Sequence, residues 1–202
     1  MSIQPSRLEN KDFSFVDFPT FRPNISPEEI LRGGSFGGTY FRNITSKVTN
    51  QDYTDTWKEL PPEWITDLEI NKYVSSDKYR KNVNKYRVKC GSSLDEWESS
   101  GWINEMDPYG WFQWYCRFFQ GRRCEDDVRQ IKRFNRCASS TGRWRLTLCK
   151  KISDKIVNGT DFTEALNDFN ISPGIRQTLQ HWAYSLTHED LESYMVVRNL
   201  IK

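Results

Sequence analysis

The sequence has no apolar run long enough to cross a membrane. A bilayer-spanning helix needs roughly 20 consecutive apolar residues, and hydrophobic residues make up only 37% of the 202-residue chain. The opening stretch, MSIQPSRLENKDFSF, also lacks the apolar core of a secretory signal. We therefore expect an intracellular protein, cytoplasmic or nuclear, with no signal peptide, no transmembrane segment and no membrane partner.

Cysteine and histidine are scarce, and their spacing does not suit a metal site. The five cysteines, an odd number, are Cys90, Cys116, Cys124, Cys137 and Cys149. No CxxC motif occurs, and His181 and His188 are not spaced like the ligands of a zinc finger. The sequence predicts reduced thiols, of which Cys116, Cys124, Cys137 and Cys149 pack as small apolar groups. It also predicts no metal and no cofactor.

The common catalytic signatures are missing as well. The chain contains no Ser-His-Asp order, nucleophile elbow or HExxH motif. A carboxylate beside an aromatic ring can have a raised pKa, which suits a general acid. The candidates on this basis are Glu98 and Asp126, although acids at a helix start such as Asp126 usually serve as caps. His181, which precedes Trp182 on a predicted helix, is interpreted as a packed or surface histidine.

Aromatic residues and clustered positive charge are abundant. Aromatic residues make up 14% of the chain, which predicts a core built from large rings. The segment Arg117 to Lys151 contains 11 Lys or Arg and 3 Asp or Glu, a net charge of +8. Because the whole chain carries only +2, the remainder sums to −6. Cations interleaved with aromatic rings are typical of proteins that bind nucleic acid.

The basic segment is predicted to form a phosphate-binding surface on two helices. A helix from about Glu125 to Cys137 places its arginines on one face, and the next helix continues the basic bias. The predicted phosphate contacts are Arg129, Lys132, Arg133, Arg136, Arg143 and Arg145. An exposed Trp111 or Trp114 would stack on a base if single strands are bound. The competing interpretation is a solvated face tied by pairs such as Glu125 with Arg129.

A glycine-rich stretch, GGSFGGTYFR, runs from Gly33 to Arg42. It lacks the Lys-Ser/Thr of a Walker A loop and is not a GxGxxG fingerprint between strand and helix. Two interpretations stay open. The glycines Gly33, Gly34, Gly37 and Gly38 either form a tight structural turn or cradle an anion with exposed N–H groups.

The periodicities predict a mainly α fold, α+β with a minor β element. Residues 1–27 form an extended N-terminal arm that is pinned by its phenylalanines or docks on a partner. Residues 28–202 form a single compact, mainly helical domain, in which 160–202 are a candidate helical C-terminal subdomain. Alternation in residues 86–90 predicts a strand. Residues 162–182 fit either a helix-turn-helix, with Arg176, Gln177 and Gln180 facing a groove, or an ordinary helical hairpin.

Four blocks of the sequence resemble those of a family of intracellular proteins known only as uncharacterised. The blocks are GGSFGGTYFR (Gly33–Arg42), CGSSLDEWESSGWI (Cys90–Ile103), DPYGWFQWYCRFFQGRRCEDDVRQIKRF (Asp107–Phe134) and ISPGIRQTLQHW (Ile171–Trp182). The resemblance covers most of residues 28–186. It implies no activity, cofactor or catalytic residue.

The sequence therefore favours a nucleic-acid-binding protein, with DNA or RNA as the partner, that uses the basic helices after Gly121. An enzyme on a nucleotide or nucleic-acid substrate is the alternative. It would use an Arg/Trp-lined pocket, with the glycine loop near phosphate and Glu98 or Asp126 as the acid or base. A third class is a protein-interaction module, because Trp, Tyr and Arg also dominate binding hot spots.

Overall fold

The computed structural model describes residues 4–201, and most of their regular secondary structure is α-helical. The predicted fold class, mainly α with a minor β element, is confirmed. In the described part of the chain the α-helices are α1 (Pro27–Arg32), α2 (Pro62–Ile65), α3 (Ile70–Tyr73), α4 (Leu94–Ser99), α5 (Trp111–Phe119), α6 (Asp127–Ala138), α7 (Arg143–Val157), α8 (Phe162–Asn167), α9 (Pro173–His181) and α10 (His188–Val197). Short 3-10 turns lie at Thr56–Glu59 and Lys81–Val83.

Within residues 4–201 the β structure consists of two short antiparallel ladders. β1 (Ser6–Arg7) pairs with β2 (Phe13–Ser14) in the N-terminal arm. β3 (Ile44–Ser46) pairs with β4 (Gln51–Tyr53).

The strand predicted for residues 86–90 is wrong. Asn84 closes a local turn there, since its side chain donates to the Val88 carbonyl and accepts from the Tyr86 N–H. Arg87 consequently has a φ of 55°, in the left-handed region, which interrupts a pleated strand.

Local capping signals explain several helix starts. Ser26 forms a capping box with Glu29 at the start of α1, and Ser93 forms one with Glu96 at α4. Thr187 accepts from the Asp190 N–H at α10. These motifs act over three residues, so the sequence predicts the starts correctly.

Helix α5 is the centre of the core and is covered on nearly all sides. Its N-terminus has no side-chain cap of its own. Instead the buried Tyr40 hydroxyl accepts from the N–H groups of Phe112 and Gln113 and donates to the Tyr109 carbonyl. The buried side chains of α5 are Trp111, Phe112, Gln113, Trp114, Tyr115, Cys116 and Phe118.

The N-terminal arm packs on this helix through its aromatic rings. Phe15 lies 4.9 Å from Phe118 between ring centroids, and Phe21 lies 4.9 Å from Phe134. Phe15 and Phe21 are almost completely buried, so the arm contributes to the core. Residues 1–3 of the predicted arm, and residue 202 of the predicted helical domain, lie outside the described residues.

Helices α6 and α7 pack side by side, and α7 also contacts α8, α9 and α10. Leu148 and Ile152, four residues apart on α7, are buried. Val128 of α6 is apolar but 53% exposed. The buried stripe of α6 runs through Asp127, Ile131 and Phe134, and Val128 is rotated about 100° from Asp127.

No helix of the described residues is long and apolar enough to traverse a lipid bilayer. All five cysteines are free thiols.

Candidate functional site

The arginines at the start of the basic segment are held by carboxylates from elsewhere in the chain. Asp107, whose side chain is completely buried, accepts from Arg117 at 3.0 Å and from Arg122 at 2.6 Å. Glu59 binds Arg117 from the other side at 2.6 Å. Burial raises the pKa of the Asp107 carboxyl, and the two guanidinium groups oppose that shift. These two cations are part of the interior.

Arg123 is engaged in the same way. Its guanidinium binds Asp17 of the N-terminal arm at 2.5 Å and lies 3.8 Å from the centroid of the Phe118 ring. Its side chain is only 19% exposed. The arginine therefore fastens the arm to α5, and it is poorly placed to meet a ligand.

Three of the six predicted phosphate contacts also have internal partners. Arg129 forms an ion pair with Asp126 at 2.5 Å, and this hydrogen bond raises the pKa of the arginine. Arg145 forms an ion pair with Asp190 and lies 5.1 Å from the ring of Tyr184.

The third, Arg133, lies between two tryptophan rings. Its guanidinium is 5.7 Å from Trp102 and 5.4 Å from Trp182, and it donates to the Trp102 carbonyl at 3.2 Å. Burial lowers its pKa. Arg133 is therefore packed against other side chains, whereas Lys132 and Arg136 on the same helix are exposed.

The other predicted contacts remain on the surface. Lys132 and Arg136 are exposed, stand one turn apart on α6, and form no ion pair with a carboxylate of residues 4–201. Arg143 is exposed at the start of α7, where its guanidinium lies 4.3 Å from the Trp144 ring. We define the exposed basic face as Lys132, Arg136, Arg143, Lys150 and Lys151.

Two observations connect the α6 and α7 parts of the exposed basic face. Burial raises the pKa of the Cys137 thiol, and both Arg133 and Arg143 oppose the shift, so Arg143 lies near the C-terminal end of α6. Arg143 and Lys150 are seven residues apart and therefore share one side of α7. Lys150 is 72% exposed and only 3.7 Å from the equally solvated Asp154, a contact that water screens strongly.

The predicted stacking rings are not available. Trp114 has no exposed surface and donates its indole N–H to Asp127 at 2.8 Å, while Trp111 is 7% exposed. The expectation that one of them stacks on a base is wrong for this conformation, because both lie on the helix that forms the core. Trp102, 45% exposed, presents a ring beside α6 instead.

The glycine loop has a structural role. Gly34 and Gly38 have φ values of 59° and 83°. A Cβ at Gly34 would lie 2.0 Å from the Val83 carbonyl oxygen, and one at Gly38 would lie 1.9 Å from that of Lys72. The N–H groups of Gly33, Gly34 and Gly37 already donate to backbone carbonyls. The loop is therefore the tight turn that was one of the two expectations, and these three N–H groups cannot cradle an anion.

The two acid–base candidates are engaged in structural contacts. Glu98 accepts from the Lys47 N–H at 2.9 Å and from the Ser46 hydroxyl at 3.1 Å, which anchors the β3–β4 hairpin to α4. Asp126 is 4% exposed and binds Arg129 and Gln130. Neither carboxylate faces a cavity.

The helix-turn-helix interpretation is wrong, because the residues expected to contact a groove have structural roles. Arg176, Gln177 and Gln180, expected to face a groove, are buried. Arg176 donates to the carbonyls of Leu166 and Ile171, which close the connection between α8 and α9. The segment is the helical hairpin that was its alternative.

A cavity of about 300 Å³, partly open to solvent, brings together residues that are far apart in the sequence. Cys90 and His181, 91 positions apart, face each other in its wall with 3.8 Å between Sγ and Nδ1. Nε2 of His181 lies 2.5 Å from the Ser35 carbonyl oxygen. The sequence predicts Cys90 as a strand position and His181 as a packed or surface histidine, and no local motif marks either residue. Residues 4–201 contain no group of three or more His, Cys, Asp or Glu that could hold a metal ion.

No family model matches the chain, and neither a curated protein nor a solved structure matches it significantly. The functional interpretation therefore depends on the geometry of the exposed basic face and of the cavity.

Proposed function

We propose that the protein binds nucleic acid through the exposed basic face and contacts phosphates rather than bases. The observation that supports this is the accessibility of Lys132, Arg136 and Arg143, which have no carboxylate partner in residues 4–201 although other cations of the segment do. Surface cations without internal partners are free to replace the counterions of a phosphate backbone. The proposal includes an intracellular location, where DNA and RNA are both present.

The burial of Trp111 and Trp114 sharpens the expected mode of binding. Since neither predicted ring can stack on a base, we expect most of the affinity to come from phosphate contacts, which carry little sequence information. Three to five such contacts on duplex DNA give a decline of log affinity with log salt of slope about −3 to −4.5. Affinity should then depend little on the base sequence of the oligonucleotide.

The test is fluorescence anisotropy of labelled single- and double-stranded oligonucleotides at several salt concentrations. The decisive variant is Lys132→Glu/Arg136→Glu, since both side chains are exposed and make no internal ion pair in the described chain. We expect it to weaken binding by about tenfold or more at low salt and to reduce the salt slope by about 2.

The matched control is Lys78→Glu/Lys81→Glu, which changes net charge by the same amount at exposed positions in another part of the chain. Binding by the control should stay within about twofold of the unmodified protein if the contacts are local. Circular dichroism confirms that both variants are folded. Absence of binding at low salt, or equal loss in the two variants, would contradict the proposal.

A further inference from the structure

The cavity contains a histidine whose hydrogen bond to the backbone defines its tautomer. The Ser35 carbonyl only accepts, so Nε2 of His181 carries the proton that it donates there. Nδ1 is then an unprotonated acceptor directed at Cys90, 3.8 Å from its sulfur. A thiol, a base and a group that orients the base are the three parts of an activated nucleophile.

The imidazole is held in this orientation from two sides. The Phe36 ring stacks on it with centroids 4.3 Å apart and an interplanar angle of 18°. The Ser35 carbonyl that receives its proton is fixed in turn by the Gln177 side chain, which donates to it at 2.6 Å. A base held in this way needs little reorganisation before it accepts a proton.

We propose that Cys90 is a nucleophile and His181 its general base, acting on small anionic acyl esters that enter this cavity. Sγ of Cys90 attacks the acyl carbon while Nδ1 of His181 takes the thiol proton. The C–O bond of the ester breaks, and the leaving alcohol receives that proton. A thioester on Cys90 remains, and water then hydrolyses it to the carboxylic acid and regenerates the thiol.

The lining of the cavity indicates the class of substrate. Aromatic rings, among them Phe36, Tyr79 and Trp97, offer flat apolar surfaces, while Arg42 and Lys89 supply positive charge. A volume of about 300 Å³ is at the small end of ligand pockets, so the fit is to a metabolite-sized molecule. The charged or titratable groups that line the cavity besides the pair are Tyr40, Arg42, Asp77, Tyr79, Lys89 and Tyr109.

Protonation states give the proposal a distinctive pH dependence. Burial raises the pKa of the Cys90 thiol and lowers that of His181 to about 4, so both are neutral near pH 7. An ordinary thiol reacts through its thiolate, and its rate rises about tenfold per pH unit below its pKa. A thiol that passes its proton to neutral His181 reacts at a nearly constant rate between about pH 5.5 and 8.

The experiment measures acylation of the native protein by p-nitrophenyl hydrogen adipate, an aryl ester whose one free carboxylate is too distant to expel nitrophenol by itself. Nitrophenol release gives the rate, and peptide mass spectrometry gives the site. We expect Cys90 to be acylated at least about tenfold faster than the partly exposed Cys124 and Cys137, with a flat pH profile. The neutral ester p-nitrophenyl butyrate should react more slowly at Cys90.

Three variants complete the test. His181→Gln, which keeps an N–H donor for the Ser35 carbonyl, should slow Cys90 acylation about tenfold or more and restore the pH slope of a simple thiol. Lys89→Gln should reduce the preference for the adipate ester over the butyrate ester. Cys90→Ala should abolish the fast phase. Thermal unfolding verifies that each variant is folded.

The proposal is overturned if Cys90 reacts no faster than Cys124 and Cys137. It is also overturned if folded His181→Gln leaves the rate and pH profile of Cys90 acylation unchanged. Neither result would affect the proposed nucleic-acid binding, because the exposed basic face shares no residue with the cavity.

Discussion

The early and late parts of the basic segment are both rich in cationic residues, but these residues have different environments. Arg117, Arg122 and Arg123 are paired with carboxylates and mostly buried, whereas Lys132 and Arg136 are exposed without such partners in the described residues. The acids that pair with the early part come from distant positions, including Asp17, Glu59 and Asp107.

The comparison shows that charge separated along a sequence need not be separated in space. Much of the +8 of residues 117–151 meets the −6 carried by the remainder of the chain. A guanidinium offers five donors in a planar fork, so one arginine can join two carboxylates, as Arg117 does with Glu59 and Asp107. Only the later part of the segment leaves cations for a polyanionic partner.

Substitution of Asp107 should have the largest effect. Asp107→Asn removes the carboxylate that pairs with Arg122 and one of the two that pair with Arg117, at a cost of roughly 3–5 kcal/mol in the free energy of unfolding. Urea denaturation measures the change. Asp154→Asn, which removes the exposed partner of Lys150, is the matched control and should cost less than about 0.5 kcal/mol. Similar costs in the two variants would refute the division into interior and exposed cations.

Acidification should destabilise the protein through His181. Its pKa is about 4 in the folded chain, below its ordinary value of 6.5. Between about pH 4 and pH 6.5, the imidazole of His181 binds a proton in the unfolded chain but not in the folded chain. Stability therefore falls as the pH falls from about 6.5 to about 4, by roughly 3 kcal/mol in total.

His181→Gln should remove this component from the pH dependence of urea unfolding. His188→Gln is the matched control, because the side chain of His188 is 52% exposed, and it should keep the wild-type profile. Parallel profiles for His181→Gln and the wild type between those pH values would show that His181 is not held neutral.

A pair of charge reversals on α6 should give the smallest effect of the three. Arg133→Glu introduces a carboxylate between Trp102 and Trp182 and should cost about 2 kcal/mol. Arg136→Glu, three residues further on at an exposed position, should change stability by less than about 0.5 kcal/mol while it weakens nucleic-acid binding. Equal loss of stability would mean that the exposed basic face also packs internally.

Most of the helical fold follows from local signals. Local sequence features predict several helices that the structure contains. These features are the caps Ser26 and Thr187, the apolar sequence of α5 and the apolar residues spaced by four in α7. The one wrong element prediction, the strand at 86–90, also has a local cause. The predicted strand at 86–90 is replaced by a turn because the Asn84 side chain, outside the alternating pattern, binds the backbone on both sides of Arg87.

The candidate site was less predictable. Lys132, Arg136 and Arg143 lie at the surface as expected, but Arg129, Arg133 and Arg145 are engaged internally. The amphipathic pattern of a single helix cannot distinguish a cation facing water from one facing a carboxylate on another helix. Cys90 and His181 gave no signal at all, because their meeting requires α9 to pack against the loop that precedes α4.

By itself, the sequence determined the helices and the aromatic character of the core, because capping, periodicity and ring burial act over a few residues. Tertiary structure alone decided which arginines form ion pairs inside the protein. It also left no room for a side chain at Gly34 and Gly38, and it placed the Cys90 thiol against an imidazole 91 positions away. Those outcomes depend on the burial and distance of groups remote in sequence. Electrostatic and hydrogen-bond energies depend on the distance between two groups and on their surroundings, and not on how far apart the groups lie along the chain.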